Sequence, residues 1–160
     1  MQLDLSKPEE CMSRVQEFAG NAKYGIDIVV NNAGVTMRDE FNNFDFSQCI
    51  YMMNTNCLSH IAISKAFLPL LIKQNGGQFV NIISVAGQIG VGLRTMYSAA
   101  KFGTAGFFKS LRSEVKQYGI AISNVYPEFV RTNVSKNAIL GGGKVFGKTD
   151  SNILNGIRVD

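Results

Sequence analysis

The chain has 160 residues, 46% of them hydrophobic and 18% charged, with a formal net charge of +4. That length and apolar content suit one domain with a real core and argue against disorder. The basic residues are scattered and read as solvated surface, with no nucleic-acid site, and no apolar run approaches the roughly 20 residues of a membrane span.

Cys11, Cys49 and Cys57 are odd in number and form no CxxC pair. They read as small core residues, with neither a disulfide framework nor a metal site expected. His60 lies in a helical stretch and reads as packing.

Leu3-Asp4-Leu5 reads as a strand stub. Ser6-Lys7-Pro8-Glu9 has the form of a capping box with Pro in the first turn. It predicts a helix with Cys11, Met12, Val15, Phe18 and Ala19 on one apolar face, leaving at Gly20. Residues 26–30 predict a short buried strand that runs into Asn31-Asn32-Ala33-Gly34. Small and amide residues at a strand end allow close approach to a ligand, and they equally suit an ordinary βα turn. Residues 46–74 follow helical spacing through Ile50, Met53, Cys57, Ile61, Ser64, Leu68 and Leu71. Pro69 is expected to kink or thin the last turns. Asn54, Thr55 and Asn56 are poor helix-interior residues, which fits a kink whose amides satisfy freed carbonyls or a functional position.

Residues 77–83 predict a buried strand after a Gly turn. Ser84 follows at its carboxyl end, where open α/β sheets bind ligands. The glycine-containing run 87–92 reads as a flexible loop over that place, not as a dinucleotide fingerprint. Residues 94–118 predict a helix, ended by Gly119. Tyr97 and Lys101 are four apart on it and share a face. A free Tyr has a pKa of about 10; an ammonium about 4 Å away, at an effective dielectric of about 20, is worth roughly 4 kcal/mol and would lower that pKa by up to about 3 units. Such a Tyr can give a proton to a carbonyl oxygen or take one from an alcohol. Alone the pair is a weak signal; with a strand-end Ser ahead of it the pattern is specific. Residues 120–126 predict the next strand, stopped by Pro127, and 136–160 read as a mobile loop.

Ser84, Tyr97 and Lys101, with Asn31-Asn32-Ala33-Gly34 and Asn56-Cys57-Leu58-Ser59, resemble the Asn-Ser-Tyr-Lys active site and flanking motifs of the short-chain dehydrogenase/reductase family. The resemblance covers nearly the whole chain and is nearest the dehydrogenase/reductase member 7B group, partly through residues 131–139. Ser59 stands where the family has Gly in N-x-x-G, which makes Asn56, not Asn54, the match. Pro127 is followed by Glu128 where the family usually has Gly, with Thr132 in the place of a Thr that contacts the nicotinamide amide.

The resemblance implies an α/β fold, a partial Rossmann-like parallel sheet of three main strands with helices on both faces. The whole of 1–160 would be one domain, the C-terminal part of the family's Rossmann domain, with 136–160 as its substrate loop. It implies an NAD(P)-dependent oxidoreductase acting on a carbonyl or alcohol of a lipophilic small molecule, with NADP(H) favoured over NAD(H). Ser84 would hydrogen-bond the substrate oxygen and Tyr97 would move the proton. Lys101 would lower the Tyr97 pKa and hold the cofactor ribose, and Asn56 would support a water relay. Asn32, Ala33, Gly34, Pro127 and Thr132 would line the cofactor together with Tyr97 and Lys101. The two long helices imply a homo-oligomer. The family's T-G-x-x-x-G-x-G turn, which offers backbone N–H groups to a pyrophosphate, has no match. The chain is therefore expected to be a fragment lacking the N-terminal cofactor half; an inactive fragment that acts as an oligomerisation or binding partner is the other reading. The expected place is intracellular, with endoplasmic-reticulum or peroxisomal membrane association through a segment ahead of this chain.

Overall fold

Three short strands set the frame. In a computed structural model that describes residues 1–130 and 132–148, β1 (Ile28–Asn31), β2 (Gly77–Ile82) and β3 (Ile120–Val125) lie side by side in that order, all parallel. The register aligns Val29 with Phe79 and Ile122, and Asn31 with Asn81 and Asn124. Side chains alternate across a strand, so these two rows share one face. Helices α1 (Pro8–Gly20), α3 (Ser59–Lys73) and α4 (Thr95–Val115) supply the core on that face, through Val15, Phe67, Leu71, Phe108, Leu111 and Val115. Fully burying a side chain the size of Phe79 or Phe108 is worth about 1.5–3 kcal/mol.

The expectation of helices on both faces is met on one. The other face carries Ile28, Val30 and Val125, which are 54%, 58% and 42% exposed. Among the described residues no helix covers them.

Several local expectations change. Residues 3–5 form no strand; they lead into a turn in which the Lys7 amide donates to the Asp4 carbonyl at 3.0 Å. Ser6 does not cap α1, because its hydroxyl donates to Asp4 Oδ1 at 2.7 Å and Lys7 takes the cap position without a side-chain bond. Pro8 does occupy the first turn. The long pattern of 46–74 resolves into α2 (Phe46–Met53), a π-helical turn (Asn54–Leu58) and α3. The irregularity thus falls at the Asn-Thr-Asn stretch, and α3 continues through Pro69 to Lys73. Taken together, Phe46–Lys73 is long and apolar enough to cross a membrane by length and composition, against the sequence reading. Half of its most apolar window is buried inside the protein, as suits a core helix. After α4 one 3-10 turn leads to Gly119, whose φ of 69° only glycine adopts freely.

Residues 136–148 are held in place. Ile139 bridges Met37 and Val145, its amide donates to the Thr36 carbonyl at 2.9 Å, and Ala138 is 1% exposed. The mobile loop expected for 136–160 is pinned over this part, and its remainder, 149–160, lies outside the described residues. The three cysteines are buried and free.

Candidate active site

The carboxyl ends of the three strands open into a cleft of about 640 Å³. Asn32, Ala33 and Gly34 after β1, Ser84 after β2, Pro127 and Thr132 after β3, and Tyr97 and Lys101 from α4 all line it. Eight of the nine residues singled out in the sequence therefore meet in one place. Asn56 lies just behind the wall.

An asparagine ladder, which sequence reasoning missed, ties the three strand ends together. Asn31 Nδ2 donates to Asn81 Oδ1 at 2.8 Å and to Ser64 Oγ at 3.1 Å, and Asn81 Nδ2 donates to Asn124 Oδ1 at 2.9 Å. The signal was present as one Asn near the end of each strand, but only the register shows that they align.

Asn56 is fully buried in the π turn. Its Nδ2 donates to the Val35 carbonyl at 2.7 Å and its Oδ1 accepts from the Val35 amide at 2.9 Å. Its own carbonyl accepts from Thr104 Oγ1 at 3.0 Å. The π turn thus presents Asn56 as a two-point clamp on the loop after β1. Gly34 is needed beside it, because a Cβ there would lie 2.7 Å from Asn56 Oδ1. His60, one turn on, is packed as expected and also bonds the same loop, its Nε2 lying 2.9 Å from the Ala33 carbonyl. A carbonyl only accepts, so Nε2 carries the proton; Nδ1 is buried without a partner. Burial first, then the nearby Lys101 charge, push the imidazole down to about 4, against the pull of the Ala33 bond.

Ser84 Oγ accepts from the Ala86 amide at 3.1 Å and shares a hydrogen bond with the Tyr97 side chain. The following turn, Val85–Gly87, packs under α4. Gly87 has no room for a side chain, since a Cβ would sit 2.7 Å from Ile83 Cγ2 and 2.9 Å from the Lys101 carbonyl. The first part of the expected loop 87–92 is therefore wall, while Gly90 and Gly92 have open space around them.

The electrostatics depart from expectation. Burial holds the Tyr97 phenol above its ordinary value, opposed by the Ser84 bond and by the charge of Arg94. Lys101 points its ammonium at a backbone carbonyl. The ammonium lies 5.8 Å from the Tyr97 ring centroid and donates to the Ile82 carbonyl at 3.1 Å. Lys101 is 4% exposed, and burial brings it down to about 8, with Cys57 pulling the other way.

Chemically, the cleft offers a hydroxyl pair, a buried amine and strand-end backbone groups, which suit an amide-bearing ring and a ribose diol. Among the described residues no glycine-rich strand-to-helix turn faces the cleft to hold a pyrophosphate. The residues therefore fit the nicotinamide end of a dinucleotide.

An open parallel sheet whose strand-end cleft gathers Ser84, Tyr97 and Lys101, with Asn56 behind its wall, defines a class, a Rossmann-like α/β protein with a hydroxyl and amine cleft. The chain belongs to the short chain dehydrogenase family, whose model matches residues 1–140. It is similar to the dehydrogenase/reductase SDR family member 7B of Xenopus laevis, 39% identical over 96% of this chain and 47% of that protein. The chain thus spans about half the length of the curated relatives it matches. A short-chain dehydrogenase from Streptomyces avermitilis superposes with a TM-score of 0.79 at 23% identity, over 98% of this chain and 56% of that one. A metagenomic short-chain oxidoreductase solved in complex with NADP gives 0.73 at 26% identity, over 79% and 57%.

Proposed function

We propose that this chain carries the proton-transfer half of an NAD(P)-dependent oxidoreductase acting on a carbonyl or alcohol of a lipophilic small molecule. The observation that carries the reading is the hydrogen-bonded Ser84 and Tyr97 pair at the strand ends, with Lys101 beside it in one cleft. Ser84 hydrogen-bonds the substrate oxygen. Tyr97 moves the proton to or from that oxygen. Lys101 holds the ribose and moves toward Tyr97 when its Ile82 partner is exchanged for that diol. Asn56 fixes the loop 32–35 and supports the proton relay through its backbone. Asn32, Ala33, Gly34, Pro127 and Thr132 orient the nicotinamide end. When bound, the cofactor supplies the hydride. NADP is the favoured form, a reading supported by the relative solved with NADP. The two long helices carry a homo-oligomer contact, and the place is intracellular.

A second reading draws on the exposed sheet face. Ile28, Val30 and Val125 offer apolar surface of the kind that seeks a partner. On that reading the chain acts by association and performs no chemistry.

The first reading is tested by NMR titration of the chain with reduced nicotinamide mononucleotide. Shifts should concentrate on residues 32–34, Ser84, Tyr97, Lys101 and Thr132. Shifts confined to other surfaces would contradict it.

A further inference from the structure

One anion stands among the cations of the cleft. Glu128 lines it together with Arg94 and Lys101, and no other described lining residue is acidic. The backbone fixes its place. The Ile83 amide donates to the Val125 carbonyl at 2.8 Å and the Val85 amide to the Pro127 carbonyl at 3.0 Å, so the chain runs beside Ser84 and Val85 right up to Glu128. Asn32, Ala33 and Gly34 line the same cleft. Glu128 occupies the position where the family usually has Gly. Its φ is not positive, so a side chain is carried there without backbone strain. The residue is exposed, and among the described residues its side chain makes no ion pair and no hydrogen bond.

We propose that Glu128 is a specificity-determining residue for the redox state of the nicotinamide, its carboxylate favouring the oxidised ring over the reduced one. The oxidised ring is a cation and the reduced ring is neutral, so Coulomb attraction to a carboxylate acts on one form alone. Repulsion between Glu128 and the ligand phosphate is common to both forms and drops out of the comparison. The two cations of the cleft act the other way, but each is engaged by its wall. Lys101 is 4% exposed and donates to the Ile82 carbonyl at 3.1 Å, and Arg94 Nη1 donates to Thr36 Oγ1 at 3.4 Å. Glu128 is the charge left without such a bond. A cleft with this bias favours carbonyl reduction over alcohol oxidation, since reduction is the direction that leaves the ring positively charged. The proposal deepens the oxidoreductase reading and rests on the cleft as the nicotinamide site.

The test reads binding, with no substrate and no turnover. The 160-residue chain is titrated by NMR with oxidised and, separately, with reduced nicotinamide mononucleotide, and the two Kd values are taken from shifts at Asn32, Ala33, Gly34 and Ser84. In Glu128→Gln the preference for the oxidised over the reduced form should fall by about two- to fivefold, the scale of one exposed charge pair. Glu128→Lys should move it further the same way, and Glu128→Asp should keep most of it. Added salt should weaken the wild-type preference, a readout that needs no variant. The same preference in wild type and Glu128→Gln would overturn the proposal and leave the oxidoreductase reading standing. So would a wild-type preference that salt does not change. No shift at the cleft residues with either mononucleotide would overturn both.

Discussion

Lys101 and His60 are the two buried bases of the site, and each leaves a mark on stability. Lys101 falls from 10.5 to about 8 on folding, so between those values the unfolded chain holds a proton that the folded chain does not. Stability should therefore rise with pH across that window, by up to about 3 kcal/mol. In Lys101→Met that rise should be missing from urea unfolding curves taken at pH 7.5 and 10. His60 falls from 6.5 to about 4. By the same sign, stability should drop as pH falls from 6.5 to 4, and His60→Gln should lose that part of the acid decline. An acid decline equal in wild type and variant would show that the imidazole is not buried as a neutral group. The convergence of Ser84, Tyr97 and Lys101 on one cleft was legible in the sequence. Their electrostatics were not, because a four-residue spacing fixes which face two side chains share and says nothing of burial or of a competing carbonyl such as that of Ile82.

At the scale of elements, the π turn is the device that shapes the site. It adds one residue to the helical repeat at Asn54–Leu58 and swings Asn56 onto Val35. Asn56→Ala would leave the half-buried amide and carbonyl of Val35 without partners, a loss of about 1–3 kcal/mol in chemical denaturation. Gly34→Ala should destabilise the same place from the other side, by pressing a methyl on Asn56 Oδ1. Asn81→Ala should cost about 1–3 kcal/mol, because both neighbours in the ladder lose a bond. The sequence marked the helix and its awkward polar triplet, and offered a distortion both there and at Pro69. A proline near a helix end can be absorbed, whereas an Asn that clamps a distant loop bends the helix where it sits. The three main strands came through to within about two residues, since β-branched runs after Gly turns are strong signals, while the stub at 3–5 did not form. The one-sided cover of the sheet did not, because alternation within four to six residues cannot say which face a helix takes.

The described residues form a three-stranded sheet with one finished face and a site at one end. The exposed Ile28 and Val30 lie on an edge strand, an arrangement that favours association, so light scattering of the purified chain should show mass above one copy, rising with concentration. A strict monomer at all concentrations would contradict this. The described residues offer the nicotinamide end of a dinucleotide site and no glycine-rich turn for its phosphates. Calorimetry of the 160-residue chain with NADPH should therefore show no micromolar binding. Micromolar binding by a monodisperse sample would mean that another segment, such as 87–92, holds the pyrophosphate.

On the proposed reading, Ser84, Tyr97 and Lys101 carry out proton transfer in a nicotinamide-dependent reaction. One measurement joins this chain to the part of the Xenopus laevis relative that it does not span and follows NADPH oxidation with a lipophilic ketone. The joined protein should turn over, and Tyr97→Phe should lower kcat by at least about 100-fold, the scale of a lost general acid. A Tyr97→Phe protein that keeps near-full kcat would contradict the claim.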